Sequence, residues 1–486
     1  MDKVKTIFEK SVSGKVGVSL PESDCPNLVM KDYIDQSLLK QNSLKLPELS
    51  EPEVVRHFVN LSSKNHHIDK GFYPLGSCTM KYNPKINDMI AGFDDIKNIH
   101  PLQNPETAQG CLEIMYNLEK ILCDITGMHS VTLQPSAGSQ GELAGILVMK
   151  KYHEKKNNHK ENIIIPESAH GTNPASVVLG GFTPVKVGTN DKGRVDIEDL
   201  KSKVNEYTAG MMLTQPNTLG LFEDEIEEIS KIIHKVDGLM YMDGANLNAL
   251  LGIAKPASMG FDITHMNVHK TFSTPHGGGG PGAGPIGVVE KLADFLPVPR
   301  IIKDGEVYSL CNNSKQSIGQ LHSFYGNFLV LVRAYCYILS LGSEGLERIS
   351  KIAILNANYL KKKIEITYDI PYSDGTMHEF VVSAVKQKNR GARALDIAKI
   401  LLDYDYHSPT IYFPINVPEA IMIEPTESEN VNTLNEFADC MISIDKLIDL
   451  DLQVILDAPS KTPVGRINET KANRELDLNY YNNGNK

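Results

Sequence analysis

The chain has 486 residues, of which 41% are hydrophobic and 22% are charged, and a formal net charge of −11. The acidic surplus argues against a nucleic-acid-binding protein, which more often carries a basic patch. The seven cysteines are widely spaced and contain no CxxC pair, which argues against a disulfide framework or a zinc ribbon. The N-terminal sequence lacks the apolar core of a signal peptide, so we expect a soluble, cytoplasmic protein.

Residues 1–100 are rich in Pro, Asn, Ser and Lys, which indicates an irregular N-terminal extension with a short helix near 51–62. Within this extension, the stretch GFYPLGSCTMKYNP (71–84) gathers small, polar and nucleophilic residues in one loop. Composition alone favours a solvated connection over a functional loop.

Short apolar strands alternate with helices over residues 101–330. A helix that Asn104 caps and Gly127 ends comes first. Further helices are predicted at 139–155, 196–205 and 223–236. Strands are predicted at 130–133, 162–165, 183–187, 210–213, 239–242, 263–266 and 287–289. This alternation predicts an α/β domain around a largely parallel sheet, in which ligands bind beyond the carboxyl ends of the strands.

Residues 331–486 predict a smaller α+β domain, with helices near 346–365, 391–403 and 430–446 and a strand near 377–385. The most apolar stretch of the chain, 328–341, is interrupted by Arg333 and is too short to span a bilayer. We therefore interpret it as a buried helix.

Three strand ends carry candidate site residues. Ser136, Gly138, Ser139 and Gln140 follow the first strand, where a helix N-terminus and small residues suit a phosphate group. His170 follows the second strand and is compatible with stacking on a ring, with proton transfer or with a structural hydrogen bond. Asp243 follows the fifth strand, where a carboxylate suits a pyridinium nitrogen, a helix cap or a metal. No second carboxylate near Asp243 in the sequence supports the metal.

Lys270 follows the sixth strand, 27 residues beyond Asp243 (270 − 243), in the segment HMNVHKTFSTPHGGGGPGAG. His265 and His269 precede it, and a run of glycines after it leaves space for a bulky cofactor. A lone lysine would be a surface residue. Together with Asp243, His170 and the phosphate cup, Lys270 is predicted to form a Schiff base with pyridoxal phosphate.

The run HMNVHKTFSTPHGGGGPGAGPIGV resembles the lysine segment of the glycine-cleavage P proteins, the decarboxylating glycine dehydrogenases. The resemblance covers most of the chain. It includes GFYPLGSCTMKYNP, HPLQNPETAQG, QPSAGSQGELAG, AHGTNPAS, DGANLNALLG and PTIYFPINVPEAIMIEPTESE. The length, together with the presence of the lysine, resembles subunit 2 of the two-subunit form.

The resemblance implies a fold type I (aspartate aminotransferase-like) pyridoxal phosphate enzyme with a mostly parallel seven-stranded sheet. It also implies decarboxylation of glycine, with transfer of the aminomethyl group to the lipoyl group of an H protein. The implied partner is a subunit 1 chain without the lysine, in an α₂β₂ heterotetramer. No metal is implied.

The resemblance also assigns residues. The catalytic residues would be Lys270 and His170, and the substrate would contact Ser77, Cys78 and Thr79. The cofactor would contact Ala137, Gly138, Ser139, Gln140, His170, Thr172, Thr214, Asn217, Asp243, Ala245, His269, Lys270 and Thr271. The loop 76–79 and the glycine-rich turn 277–284 would close on the substrate and the lipoyl arm. Ser460 stands where the family motif has His, which puts a proton-transfer role there in doubt.

Two alternatives stay open at this point. One is another fold type I enzyme, such as an amino-acid decarboxylase or a desulfurase that uses Cys78 as its nucleophile. The other is a scaffold subunit without activity of its own.

Overall fold

The computed structural model describes residues 4–40, 42, 44–100, 103–276, 282–323, 325–478 and 480. Of the predicted glycine-rich turn, residues 277–281 lie outside this set. The chain forms two compact units, one of Met1–His67 with Ser460–Lys486 and one of Ile68–Pro459. The predicted division of the chain at residues 100 and 330 remains a proposal.

The described α-helices are α1 (Ile7–Lys10), α2 (Glu51–Ser62), α3 (Lys85–Ala91), α4 (Asp94–Lys97), α5 (Gln109–Thr126), α6 (Gly138–Lys155), α7 (Thr172–Leu179), α8 (Ile197–Lys203), α9 (Ile226–Lys235), α10 (Val268–Thr271), α11 (Phe328–Ile364), α12 (Val385–Asn389), α13 (Ala394–Asp403), α14 (Val431–Leu450), α15 (Leu452–Asp457) and α16 (Glu469–Arg474). The described strands are β1 (Ser130–Thr132), β2 (Asn162–Pro166), β3 (Thr183–Val187), β4 (Thr208–Thr214), β5 (Leu239–Gly244), β6 (Ile263–Met266), β7 (Ile286–Val288), β8 (Arg300–Asp304), β9 (Val307–Cys311), β10 (Phe380–Ser383), β11 (Thr410–Ile411) and β12 (Ala420–Ile423).

The smaller unit contains α1, α2 and α16. The side chains of Thr6 and Glu9 form a capping box at the start of α1, and those of Ser50 and Glu53 form one at the start of α2. Such reciprocal bonds satisfy backbone N–H groups that the first helical turn leaves without partners. Ser460, the departure from the family motif, begins the second segment of this unit.

A seven-stranded sheet in the order β1-β7-β6-β5-β4-β2-β3 forms the centre of the larger unit. β7 runs antiparallel to both of its neighbours, β1 and β6, and the other neighbouring pairs in this sheet are parallel. Every residue of β5 and β6 is buried, as expected for strands with helices on both faces. The predicted mostly parallel seven-stranded sheet and the fold class are therefore confirmed.

Several elements differ from their predictions for identifiable reasons. Asn104 caps a 3₁₀ turn, Pro105–Thr107, and α5 begins only at Gln109 because Ala108 has a non-helical backbone. The prediction lacked α7 because its TNPASVVL sequence has no helical stripe of apolar residues. It also lacked β11 and β12, because the surrounding stretch 407–427 is rich in proline.

The predicted buried helix at 328–341 and the predicted helix near 346–365 form one long element, α11, with a kink at Gly342 (φ +62°). By length and composition alone, α11 is apolar enough to cross a membrane. Its buried residues, such as Leu331 and Ala334, pack in the same hydrophobic core as the central sheet. Arg333 at its surface pairs with Asp88 at 2.6 Å. These contacts are typical of a core helix.

A second sheet, β10-β12-β11, packs in a separate core with α13 and α14. The loop at 71–84 extends this sheet, since Leu75 forms a bridge with Ile423. Gly76 donates its N–H to the carbonyl of Met422. A Cβ at residue 76 would lie 2.7 Å from that oxygen, so only glycine allows the approach.

Candidate functional site

The carboxyl ends of β2, β4, β5 and β6 meet at a cavity of about 290 Å³. Most of the predicted site residues lie on its wall. They are Ser77, Gly138, Ser139, His170, Thr172, Thr214, Asp243, Ala245, His269 and Lys270. Because parallel strands end at the same sheet edge, residues far apart in sequence converge there.

Lys270 lies on the short helix α10, directly after β6. Its Nζ donates a hydrogen bond of 2.7 Å to the carbonyl oxygen of Ser77. The amine therefore points into the cavity, under the loop at 71–84.

Asp243 ends β5 on the cavity floor and is only 3% exposed. Its carboxylate accepts hydrogen bonds from the Asn173 amide (2.9 Å) and the Ala245 N–H (3.0 Å), and His265 Nε2 lies 3.3 Å away. Burial on its own would raise the pKa of Asp243. His265, these hydrogen bonds and Lys270 outweigh burial and hold the pKa below its usual value. The cavity floor therefore carries a fixed negative charge.

His170 is held by a chain of hydrogen bonds. Its Nδ1 lies 2.8 Å from Thr172 Oγ1, and Thr172 Oγ1 donates to Glu142 Oε1 at 2.8 Å. The backbone N–H of Thr172 also donates to His170 Nδ1, at 3.3 Å. Ser176 donates to the other oxygen of Glu142 at 2.9 Å. The buried Glu142 thus orients His170 through Thr172.

Helix α6 begins at Gly138 beside the cavity. The first N–H groups of a helix have no carbonyl partners within it and attract anions. A Cβ at Gly138 would lie 2.4 Å from Asn267 Oδ1, so the glycine allows α6 to begin against Asn267. The side-chain oxygen of Gln140 instead accepts from Ser136, and its amide donates to Leu321. The predicted phosphate cup therefore has its backbone part at the cavity, while the Gln140 side chain lies elsewhere.

Two imidazoles lie beside Lys270, with ring centroids 4.9 Å apart. They belong to His269 and His276. Burial lowers the pKa of His269 to about 3 and that of His276 to about 4. Both rings are therefore neutral near pH 7 and add no positive charge next to the lysine.

Cys78 lies in the loop between Ser77 and Thr79, whose backbones are both left-handed (φ +65° and +47°). Burial raises the pKa of the Cys78 thiol above its usual value. A thiol held in its protonated form is a weak nucleophile. This setting does not favour the desulfurase alternative.

Comparisons with known proteins agree with this geometry. Residues 20–306 match the family described as "Glycine cleavage system P-protein", and residues 349–458 match "Glycine dehydrogenase, C-terminal domain". The chain belongs to the P-protein family. It is 52% identical over 477 residues to a probable glycine dehydrogenase (decarboxylating) subunit 2 of Chlorobium chlorochromatii, covering 98% of this chain and 99% of that one. A protein of the same name from Listeria monocytogenes is 50% identical over 475 residues, with 98% and 97% covered.

Solved structures of low sequence identity resemble this P-protein family member in fold. A glycine decarboxylase (P-protein) in an inhibitor-bound form has a TM-score of 0.72 at 16% identity, covering 85% of this chain and 94% of that one. The Lactobacillus brevis glutamate decarboxylase has a TM-score of 0.66 at 14% identity, covering 86% and 97%. Pyridoxal phosphate is the cofactor of the P-protein family. An amine, a buried carboxylate and a helix N-terminus around one cavity fit its aldehyde, ring nitrogen and phosphate.

Several predicted residues lie off the cavity wall in this P-protein chain. Asn217 accepts the N–H groups of Leu219 and Leu221 in its own turn, and Thr271 Oγ1 accepts the N–H of Leu247. The side chains of Cys78, Thr79, Ala137 and Gln140 also lie off the wall. Their predicted contacts with cofactor or substrate stay predictions.

Other wall residues were not predicted. They include Glu142, Asn267, His378 and Glu379. The only sequence signal for His378 and Glu379 is a pair of titratable residues directly before the apolar strand FVVS. Glu142 lies one turn into α6, and its burial was not evident from the pattern.

The structure corrects one interpretation of Asp243. The sequence contains no second carboxylate close to Asp243, but the fold places Glu142 and His265 with it, with one ligand atom from each within 4.8 Å of one another. Thr172 and Ser176 donate hydrogen bonds to Glu142, while Asn173 and Ala245 donate to Asp243.

Proposed function

We propose that the chain decarboxylates glycine with pyridoxal phosphate and transfers the remaining aminomethyl group to the lipoyl group of an H protein. The observation that carries this proposal is the meeting of Lys270, Asp243 and the start of α6 at one cavity, in a chain of the P-protein family. The relatives' names contain "subunit 2". The proposal therefore includes a subunit 1 partner in an α₂β₂ assembly, in the cytoplasm.

Residues of this chain match each part of the cofactor. Lys270 would provide the amine that links covalently to it, Asp243 would pair with its ring nitrogen, and His170 would contact its ring. The backbone N–H groups at Gly138 and Ser139 would bind its phosphate. When bound, pyridoxal phosphate supplies a conjugated ring that accepts the electron pair released as the substrate carboxylate leaves as CO₂.

Asp243 would stabilise a proton on the ring nitrogen of the bound cofactor. Because its pKa is held low, the carboxylate stays ionised at neutral pH, and a buried carboxylate interacts strongly with a nearby positive charge. Asn173 and Ala245 fix its orientation, so little reorganisation accompanies the reaction. Asp243 therefore acts as a fixed electrostatic partner.

His269 stays neutral beside Lys270. Its Nδ1 accepts from the Ala283 N–H at 3.4 Å, which leaves the ring proton on Nε2. A cationic imidazole there would compete with Lys270 for the negative charge of Asp243. Keeping His269 neutral leaves that charge to the reacting groups.

Exchange of labelled bicarbonate into the carboxyl group of glycine tests the function. We expect exchange when the chain is combined with a subunit 1 chain and a lipoylated H protein, and loss of most of it when the H protein is omitted. Absence of exchange with competent partners would instead favour another fold type I activity. Lack of visible pyridoxal phosphate absorbance in the purified protein would favour a scaffold subunit.

A further inference from the structure

Two buried glutamates beside the cavity have no role in the proposed reaction so far. Glu379 lies on the cavity wall and is 4% exposed, while Glu424 is fully buried behind it. One oxygen of each carboxylate and one ring nitrogen of His378 all lie within 4.8 Å of one another. At this separation, two ionised carboxylates would repel each other.

The antiparallel register explains why the two acids meet. Phe380 of β10 pairs with Ile423 of β12, so Glu379 and Glu424 stand opposite each other one step beyond the last pair. Like charges directly opposite each other across two strands are destabilising. If both glutamates were ionised, this strand pairing would place two negative charges opposite each other and destabilise the fold.

The surroundings allow one negative charge on this pair. Burial raises the pKa of Glu379 well above its usual value, and Glu424 raises it further. Burial also raises the pKa of Glu424. Among the groups that face the pair, Lys270 supplies a single cation. Burial keeps both His378, whose pKa it lowers to about 3, and the Cys78 thiol neutral.

The same two carboxylates hold the loop above the lysine. The Ser77 N–H donates to Glu379 Oε2 at 2.8 Å, and the Thr79 N–H donates to Glu424 Oε2 at 2.9 Å. Ser77 and Thr79 both have left-handed backbones, which non-glycine residues adopt only when their surroundings hold them. Asn246 fixes the other oxygen of Glu424 at 2.8 Å.

We propose that Glu379 and Glu424 share a single proton, and that in this singly ionised form they position the Ser77–Thr79 loop over Lys270. When the shared proton leaves at high pH, the two carboxylates repel each other. Their hydrogen bonds to the N–H groups of Ser77 and Thr79 then weaken. Cys78, between those groups, then becomes accessible. The role of the loop in catalysis rests on the proposed function. The shared proton and the hydrogen bonds that hold the loop do not.

Infrared difference spectra of the full chain test the shared proton. A protonated carboxyl group has a C=O stretch distinct from that of a carboxylate. We expect this band to lose one carboxyl's intensity at pH 7 in Glu379→Gln and in Glu424→Gln, because the remaining carboxylate no longer faces a second one and has the Lys270 charge and its own N–H donor to stabilise its ionised form. The matched control is Glu427→Gln, since the Lys81 ion pair helps to hold the pKa of Glu427 low despite burial. Unchanged intensity in both pair variants would overturn the proposal.

The rate at which iodoacetamide alkylates Cys78, measured by mass spectrometry of the Cys78 peptide, tests whether these hydrogen bonds hold the loop. Glu379→Ala removes the acceptor of the Ser77 N–H, and we expect about fivefold faster labelling at pH 7, as for loss of one buried hydrogen bond. Glu379→Gln keeps an acceptor oxygen and should label at nearly the wild-type rate. It should also lack the extra rise in labelling at high pH that we expect of the wild type. Equal labelling of all three proteins would contradict the proposal.

Metal analysis of the wild-type protein separates a rival explanation. A stoichiometric metal that Glu379→Gln loses would overturn the proposal and make His378, Glu379 and Glu424 a metal site. None of these measurements involves turnover. A failed glycine exchange would therefore leave the shared proton standing, and an absent shared proton would leave the proposed function standing.

Discussion

Lys270 Nζ donates a hydrogen bond to the carbonyl oxygen of Ser77, which lies 193 positions earlier in the chain. The bond joins the helix after β6 to a loop that composition describes as an ordinary solvated connection. Since the loop also extends the second sheet through Leu75 and Ile423, it connects the lysine to that sheet.

Replacement of Lys270 by Ala should abolish catalysis and remove all pyridoxal phosphate that borohydride can fix to the chain, because no other amine is proposed to link to the cofactor. Mass spectrometry of the reduced protein checks this. Lys151→Ala, at an exposed lysine that pairs with Glu154, is the matched control and should retain the fixed cofactor. Reducible cofactor on the Lys270→Ala chain would disprove the lysine assignment.

Replacement of Asp243 by Asn keeps the side-chain shape but removes the negative charge. We expect weaker binding of pyridoxal phosphate and a glycine exchange rate lower by roughly 10²-fold, the usual loss for one preorganised electrostatic group. Asp262→Asn provides a control, because Asp262 is also buried with a lowered pKa but pairs with His234 and Lys291. Equal exchange rates in the two variants would remove Asp243 from the site.

Replacement of Thr172 by Val removes the hydroxyl between His170 and Glu142. The ring then loses the hydroxyl at Nδ1 and keeps only the backbone N–H of residue 172 there, and we expect about fivefold weaker binding of pyridoxal phosphate, the value of one hydrogen bond. A cofactor titration by absorbance measures this. Ser176→Ala removes the other hydroxyl that donates to Glu142 without touching His170, so its affinity should stay near wild type. If both variants weaken binding equally, the effect comes from Glu142 and not from His170.

We expect the pH dependence of the unfolding equilibrium in acid to show that His378 is neutral in the folded protein. Burial lowers its pKa to about 3 from 6.5, so the unfolded chain binds a proton below pH 6.5 that the folded chain does not. The stability linked to this residue is therefore complete above pH 6.5 and is lost as pH falls towards 3. His378→Gln should reduce the pH dependence of the unfolding equilibrium by up to tenfold per pH unit between pH 6 and about 4.

Urea denaturation at several pH values measures this difference between variant and wild type. His159→Gln, at an exposed histidine, is the control and should leave the slope close to that of the wild type. A slope unchanged in His378→Gln would mean that His378 is protonated in the folded protein.

The order of apolar strands and helices was sufficient to predict the seven-stranded sheet and to place His170, Asp243 and Lys270 at one edge of it. Strand ends are predictable because parallel strands all end at the same edge. Side-chain direction was less predictable. Asn217 and Gln140 stand at the expected places in the chain, but local hydrogen bonds turn their side chains to their own turns.

Only the tertiary structure decided which distant residues complete the wall. Glu379 and Glu424 meet because β10 and β12 pair in one register, and a shift of one strand by one residue would turn one of the two glutamates to the other face. No spacing in the sequence encodes that register. The loop over Lys270 likewise depends on N–H groups and carboxylates that lie more than 300 positions apart. Local patterns thus fix which residues stand at strand ends, while long-range pairing fixes which of them touch.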